Sequence, residues 1–259
     1  MQQVTRTDVQ LMFDQVADMN VAFGKKACPI GTCPSLERLK PQVLCIEEEI
    51  DELAEAFRDS DINLVRDAIC DILVFAFGVG HLGGFNVFDG VAGDVDFELE
   101  EEGYVRRLRR CYNSMVSTVE MMEHAPEPGF DYSDVFFLSA HTHALVNTAL
   151  EAALYFGLNL ADDMNSVYES NMTKFCRDLG EIERTIAKYR DIGVTVVPTG
   201  EFPRAYVVTD REQEDINGKT YPAGKFLKGV GFSEPVFKPN RNVRFLIKSL
   251  SYGFRKVLM

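Results

Sequence analysis

Between Glu48 and Asp71 the chain sets carboxylates beside apolar residues in helical phase, twice in succession. Leu44, Ile46, Ile50, Leu53, Ala54 and Phe57 recur at helical spacing, and so do Ile69, Ile72, Leu73 and Phe75, so each of two neighbouring segments predicts a helix with a core-facing side. Positions three and four apart share a helix face. Glu48, Glu49 and Glu52 therefore project together with Glu55 close behind, and Asp67 projects with Asp71 one helix later. This pattern constrains the chain to neighbouring helices whose acidic residues border the interior.

Like charges gathered there are unfavourable, by roughly 0.2–0.5 kcal/mol for an exposed i,i+4 pair and far more when partly buried, unless a cation offsets the repulsion. Oxygen donors with no His or Cys among them favour Mg²⁺, or Mn²⁺, over zinc. The competing reading is a solvated acidic face. It suits the first segment taken alone, but Asp67 and Asp71 flank an apolar run from Ile69 to Phe77 where a solvated face is not expected.

The chain has 259 residues, 46% of them apolar, enough for one sizeable domain with an appendage or two small ones. Its net charge of −13 argues against a general nucleic-acid or membrane-surface binder, both of which need positive fields. No apolar run is long enough for a membrane span, and Arg6 and Asp8 are out of place in a signal peptide, so a soluble cytoplasmic protein is expected. Cys28 and Cys33 have a spacing that a metal could use, yet no second pair or nearby His completes a zinc site, and six reduced thiols are expected. His141 and His143, two apart on an expected helix, point away from one another and read as structural or surface residues.

Helices are expected at about 8–23, 36–58, 63–83, 98–124 and 133–156, with helix continuing over 161–190. An irregular acidic stretch with Gly84, Gly90 and Gly93 occupies about 84–97, and a loop with Pro126, Pro128 and Gly129 follows the fourth helix. Arg106 to Arg110 holds the strongest basic cluster, read as a solvated face or a subunit contact. After Asp191 the character changes to short strands, Val194 to Val197 and Tyr206 to Val208, and a β-branched, aromatic tail. The expected organisation is thus a mainly α bundle over 1–190, with 84–149 read as a degenerate second half or, on the family resemblance given below, as an insertion, and a small β or irregular appendage over 191–259.

The second-half reading rests on a faint echo between Gly78 to Val87 and Ala152 to Leu160. At the same offset Asp67 and Asp71 fall on Ala140 and Ala144, and with a shorter loop Glu49 and Glu52 approach Glu120 and Glu123. Chance similarity between two helix ends is the alternative.

These residues resemble the all-α nucleoside triphosphate pyrophosphohydrolase superfamily, which includes MazG, the dimeric dUTPases and phosphoribosyl-ATP pyrophosphohydrolase. Its E-E-x-x-E motif matches Glu48, Glu49 and Glu52; its E-x-x-D motif does not match, since Ala68 stands three before Asp71. A phage-type branch is more similar, with D-A-L-A-D mirrored by Asp67-Ala68-Ile69-Cys70-Asp71. Its S-N-M-S-K segment resembles Ser170-Asn171-Met172-Thr173-Lys174, its F-G resembles Phe23-Gly24, and its G-K-x-L-K element resembles Gly224-Lys225-Phe226-Leu227-Lys228.

The resemblance implies a MazG-like helical bundle that hydrolyses a (deoxy)nucleoside triphosphate to monophosphate and pyrophosphate, in the cytoplasm or in that of a host. It implies Glu49, Glu52, Asp67 and Asp71 as ligands of Mg²⁺, with Mn²⁺ as a substitute, and Glu48 as general base. Lys174 would meet the phosphate tail and Asn171 the sugar or phosphate; Lys25 and Arg38 are further phosphate candidates by charge alone. Small-molecule nucleotides are the expected partners, with neither nucleic acid nor membrane. A dimer or tetramer is implied, or a monomer if the added helices complete the bundle. Phosphoribosyl-ATP hydrolysis and a non-enzymatic helical binding protein are the alternatives.

Overall fold

A computed structural model describes residues 4–30, 32–87, 100–125 and 131–239. In order along these come helices α1 (Arg6–Ala22), α2 (Leu36–Asp59), α3 (Ile62–Gly83), α4 (Glu101–Glu123), α5 (Tyr132–Phe156), α6 (Leu160–Met172) and α7 (Leu179–Asp191). Strands β1 (Val196–Thr199), β2 (Tyr206–Thr209), β3 (Gln213–Glu214) and β4 (Thr220–Tyr221) follow. The fold is mainly α with short strands toward the C-terminus, as the sequence implies. Most of the acidic stretch at 84–97, the loop of Pro126, Pro128 and Gly129, and the tail from 240 onward lie outside the described residues.

The helix expected to run through 161–190 is broken. The chain leaves α6 at Met172, Cys176 N–H donates to the Ala205 carbonyl at 2.7 Å, and Asp178 restarts a helix by capping Glu181 N–H at 2.7 Å. The chain accordingly divides into two compact units, one reaching Asn165 and including 237–239, the other Ser166–Val236. The division falls inside α6 rather than near 190, and α7 belongs with the strands.

In the first unit the α2–α3 turn is set by two residues. Ser60 takes a left-handed conformation (φ 55°) that ends α2, and Asp61 Oδ1 accepts from the N–H groups of Asn63 (2.9 Å) and Leu64 (3.2 Å) to begin α3. The resulting antiparallel hairpin buries Leu39, Ile46, Ile50 and Leu53 of α2 with Ile69, Ile72, Leu73 and Phe77 of α3. Leu44, expected to face inward, is exposed. Helix α1 packs on α3, α4 packs on α5, and the two hairpins meet through α2 against α4 and α3 against α5.

The second hairpin repeats the packing register of the first. The buried residues Leu39, Val43, Ile46, Ile50 and Leu53 of α2 recur with the same spacing as Leu108, Tyr112, Met115, Val119 and Met122 of α4. Val65, Ile69, Ile72 and Val79 of α3 recur as Leu138, Thr142, Leu145 and Ala152 of α5. Both α3 and α5 end on a left-handed glycine, Gly84 (φ 70°) and Gly157 (φ 67°). The ion pairs between α2 and α4 exchange in the same sense: Arg109 reaches Asp51, while Lys40, at the corresponding place on α2, reaches Glu123 at 2.6 Å. In this register Asp67 and Asp71 fall on Ala140 and Ala144, as the sequence echo has them. Glu49 and Glu52, however, fall on Thr118 and Met121 and not on Glu120 and Glu123, because the apolar phase of α4 fixes which side turns inward.

In the second unit β1 pairs antiparallel with β2 and β3 with β4. Helix α7 packs on β1 and β2 over a core that includes Cys176, Ile182, Tyr189, Val194, Val207 and Leu227.

Candidate functional site

Because the hairpin turns at Ser60 and Asp61, residues at similar distances before and after it face one another, which sets Glu52 and Glu49 on α2 opposite Asp67 and Asp71 on α3. Glu48 and Glu52 are exposed, while Glu49, Asp67 and Asp71 are half-buried. The charges of Glu48, Glu52, Asp67 and Asp71 all act on Glu49. Glu55 is exposed and meets Arg58 at 3.4 Å.

Glu49 is the centre of the group. Its Oε2 is buried and accepts no hydrogen bond. Burial first, and then the charges of Asp71, Glu52, Glu48 and Asp67, push its pKa up to about 8. An orphaned buried acceptor costs roughly 1–3 kcal/mol, and a cation among these oxygens would relieve both that cost and the mutual repulsion. The donor set, all carboxylate oxygen, fits Mg²⁺ or Mn²⁺. Among the described residues no three His, Cys, Asp or Glu side chains already stand close enough to enclose an ion. Capture thus requires side chains to swing inward, a freedom that the exposed Glu48 and Glu52 have.

A cation from the loop after α1 lies beside the same hairpin, farther along α2. Lys25 Nζ donates to Gln42 Oε1 at 3.0 Å, and Gln42 precedes Glu49 by two helical turns, about 10 Å. Lys25 is exposed as a residue, but its ammonium turns inward, and desolvation lowers its pKa against a smaller opposing effect of Cys45. The loop carrying it is held by His81, whose Nε2 lies 3.1 Å from the Lys25 carbonyl and must donate, since a carbonyl can only accept. Gln42 fits because residue 78 is glycine: a Cβ there would lie 2.2 Å from Gln42 Nε2. Arg38 is exposed near the start of α2, about 16 Å along the helix from Glu49.

Three polar residues of this region escaped the sequence reading. Gln42 and Asn20 are buried, and Asn20 Nδ2 has no hydrogen-bond partner. Arg66, next to Asp67, is 3% exposed and forms a two-pronged pair with Asp163, one prong being Nε to Oδ2 at 3.0 Å. Its Nη1 donates to the Lys238 carbonyl at 2.7 Å, and its guanidinium lies 4.7 Å from the centre of the Phe237 ring. The available signal was polar residues in phase with an apolar stripe: Asn20 beside Val16 and Met19, Gln42 beside Leu39, Val43 and Ile46.

Asn171 and Lys174 lie in the second unit, where Lys174 Nζ donates to Asn171 Oδ1. Their segment is woven into that unit's own fold. Ser170 Oγ donates to the Ser233 carbonyl at 2.8 Å, and Ser233 N–H donates to Thr173 Oγ1 at 3.0 Å. In the Gly224 to Lys228 element, Leu227 N–H donates to the Val207 carbonyl at 3.1 Å and Lys228 meets Glu234 at 3.0 Å. None of the six cysteines forms a disulfide. Among the described residues, no single helix is long and apolar enough to cross a membrane.

Compared with known proteins, the chain is similar to the uncharacterized protein L479 of Acanthamoeba polyphaga mimivirus, 22% identical over 255 residues that cover 90% of this chain and 96% of the relative. No protein-family model matches the chain, and no solved structure does.

Proposed function

We propose that the chain is a Mg²⁺-dependent nucleoside triphosphate pyrophosphohydrolase, releasing a nucleoside monophosphate and pyrophosphate. The observation that carries the reading is Glu49, half-buried with an unpartnered oxygen at the centre of four further carboxylates. In a chain of net charge −13 such a cluster repels a phosphate chain unless divalent ions intervene. Glu49, Glu52, Asp67 and Asp71 would hold Mg²⁺. When bound, the ion would neutralise the phosphates and polarise the phosphorus under attack.

The remaining roles belong to the chain's own residues. Glu48, exposed on the neighbouring edge, takes the proton from the attacking water. Lys25, directed inward by Gln42, offers the hairpin's positive charge to the far end of the substrate. Arg66 and Asp163 fix the part of α3 from which Asp67 projects.

The test is a panel of normal and modified (deoxy)nucleoside triphosphates with Mg²⁺ and with chelator, reading pyrophosphate against orthophosphate. Monophosphate and pyrophosphate appear with Mg²⁺ only, and Glu49→Gln and Asp71→Asn abolish both with helicity unchanged. Turnover retained in both variants rejects the assignment. Cleavage of phosphoribosyl-ATP with every free triphosphate ignored moves the substrate to that compound.

A further inference from the structure

A cleft that none of the five carboxylates lines runs along α4. It has a volume of about 620 Å³, and Arg106, Arg109, Arg110, Asn113, Ser117 and His141 are among its walls. Among the described residues no carboxylate lines it. Arg106, Arg110, Asn113 and Ser117 follow one another at steps of four, three and four residues, a single stripe along the helix. The far end of the cleft, at Ser117, Thr118 and Met121, is the counterpart of the acidic face in the repeated packing register. Ser117, Thr118 and Met121 stand on α4 where Glu48, Glu49 and Glu52 stand on α2, and Ala140 and Ala144 stand on α5 where Asp67 and Asp71 stand on α3.

The arginines of this helix are not equivalent. Arg107 is tied to Glu151 at 2.7 Å, and Arg109, although it lines the cleft, is tied to Asp51. Among the described residues Arg106 meets only Glu102, at 3.4 Å, in a pair whose side chains are 72% and 90% exposed, so water screens the contact. Among the described residues no carboxylate pairs with Arg110. Two guanidinium groups one helical turn apart are thus available to an incoming anion, with amide and hydroxyl groups farther along α4 and the His141 imidazole contributed by α5. Guanidinium matches phosphate oxygens in pairs, and the volume lies in the range of small-ligand sites.

We propose that this cleft binds the phosphate chain of a small polyphosphate, either inorganic pyrophosphate or a nucleoside di- or triphosphate, without a metal ion. The site is separate from the carboxylate cluster and does not rest on the activity proposed above. A sparse positive cleft in a strongly negative protein selects small anions over nucleic acid, whose long charged backbone meets repulsion beyond the cleft.

The experiment is calorimetric titration of inorganic pyrophosphate, and separately of a nucleoside triphosphate, into the full chain in excess chelator. Saturable binding is expected, weakened at least about tenfold by Arg110→Ala, lost in the double variant Arg106→Ala/Arg110→Ala and unchanged in Glu49→Gln. Equal affinity for both ligands means that the phosphate chain alone is read; tighter nucleotide binding means that the nucleoside adds contacts. Absence of binding in chelator, binding indifferent to Arg106 and Arg110, or binding abolished by Glu49→Gln overturns the proposal. So does a result in which the arginine variants split a dimer and leave pyrophosphate binding intact, because the cleft is then a subunit seam. Thermal melting of each variant establishes that the fold survives.

Discussion

The α2–α3 and α4–α5 hairpins bury matching stripes, Ile46, Ile50 and Leu53 in one and Met115, Val119 and Met122 in the other, and then diverge beside them. Next to the first stripe stand Glu48, Glu49 and Glu52; next to the second stand Ser117, Thr118 and Met121. One flank collects negative charge around an unpartnered Glu49 oxygen, and the other is a cleft walled by arginine. The lesson is a division of labour between helix faces. Apolar register decides which helices pack together, and a residue one step off that register can change chemistry without moving the helix.

The largest expected effects separate the two flanks by activity. Glu49→Gln and Asp71→Asn each remove several kcal/mol of transition-state stabilisation, roughly a thousandfold in turnover, in a pyrophosphate-release assay. Glu48→Gln lowers the rate by about 10²–10⁴. Arg110→Ala leaves turnover within about twofold, the scale of a surface change outside the reacting site. A large loss in Arg110→Ala would merge the two flanks into one site.

Core substitutions test the shared register. Ile72 and Leu145 occupy matching, fully buried places, so Ile72→Ala and Leu145→Ala each cost about 2–5 kcal/mol by denaturant unfolding. A negligible cost at Leu145 would mean that the second hairpin is not packed as the first is.

Acidity distinguishes the flanks next. Glu49 has its folded pKa raised to about 8 from an ordinary carboxyl value of 4.5. The metal-free protein therefore has its full stability below about pH 4.5 as far as this group is concerned, and loses stability as pH rises through about 8, because the unfolded chain ionises Glu49 more easily. The loss is of order a few kcal/mol, is absent in Glu49→Gln and is reversed by Mg²⁺. Urea unfolding at several pH values, with and without Mg²⁺, measures it. The smallest effect is local: Gly78→Ala drives a Cβ into Gln42 and destabilises by about 1–3 kcal/mol, displacing the Lys25 contact with it.

The helices and the acidic flank were legible because both depend on local periodicity. Glu48, Glu49 and Glu52 had to share a face once α2 formed, and the short polar link at Ser60 and Asp61 had to return α3 alongside. What was not legible depends on residues far apart in sequence. The Arg66–Asp163 pair joins α3 to α6, and no local pattern marks it. The break between α6 and α7 depends on Cys176 meeting Ala205, a long-range bridge. The run of arginines after Glu102 reads as one basic face, and only tertiary pairing shows that Arg107 and Arg109 are engaged while Arg110 is left to the cleft. His141 likewise reads as a surface histidine until α4 is laid beside it.

Whether the α2–α3 carboxylates hold a divalent cation through Glu49 is decided by titrating Mg²⁺ or Mn²⁺ calorimetrically into the wild-type chain and Glu49→Gln between about pH 6 and pH 9. Affinity is expected to climb with pH and level off above about 8, with a proton released on binding at neutral pH, and to be lost in the variant. Absence of divalent-ion binding at every pH, or equal binding by the two proteins, would contradict capture through Glu49.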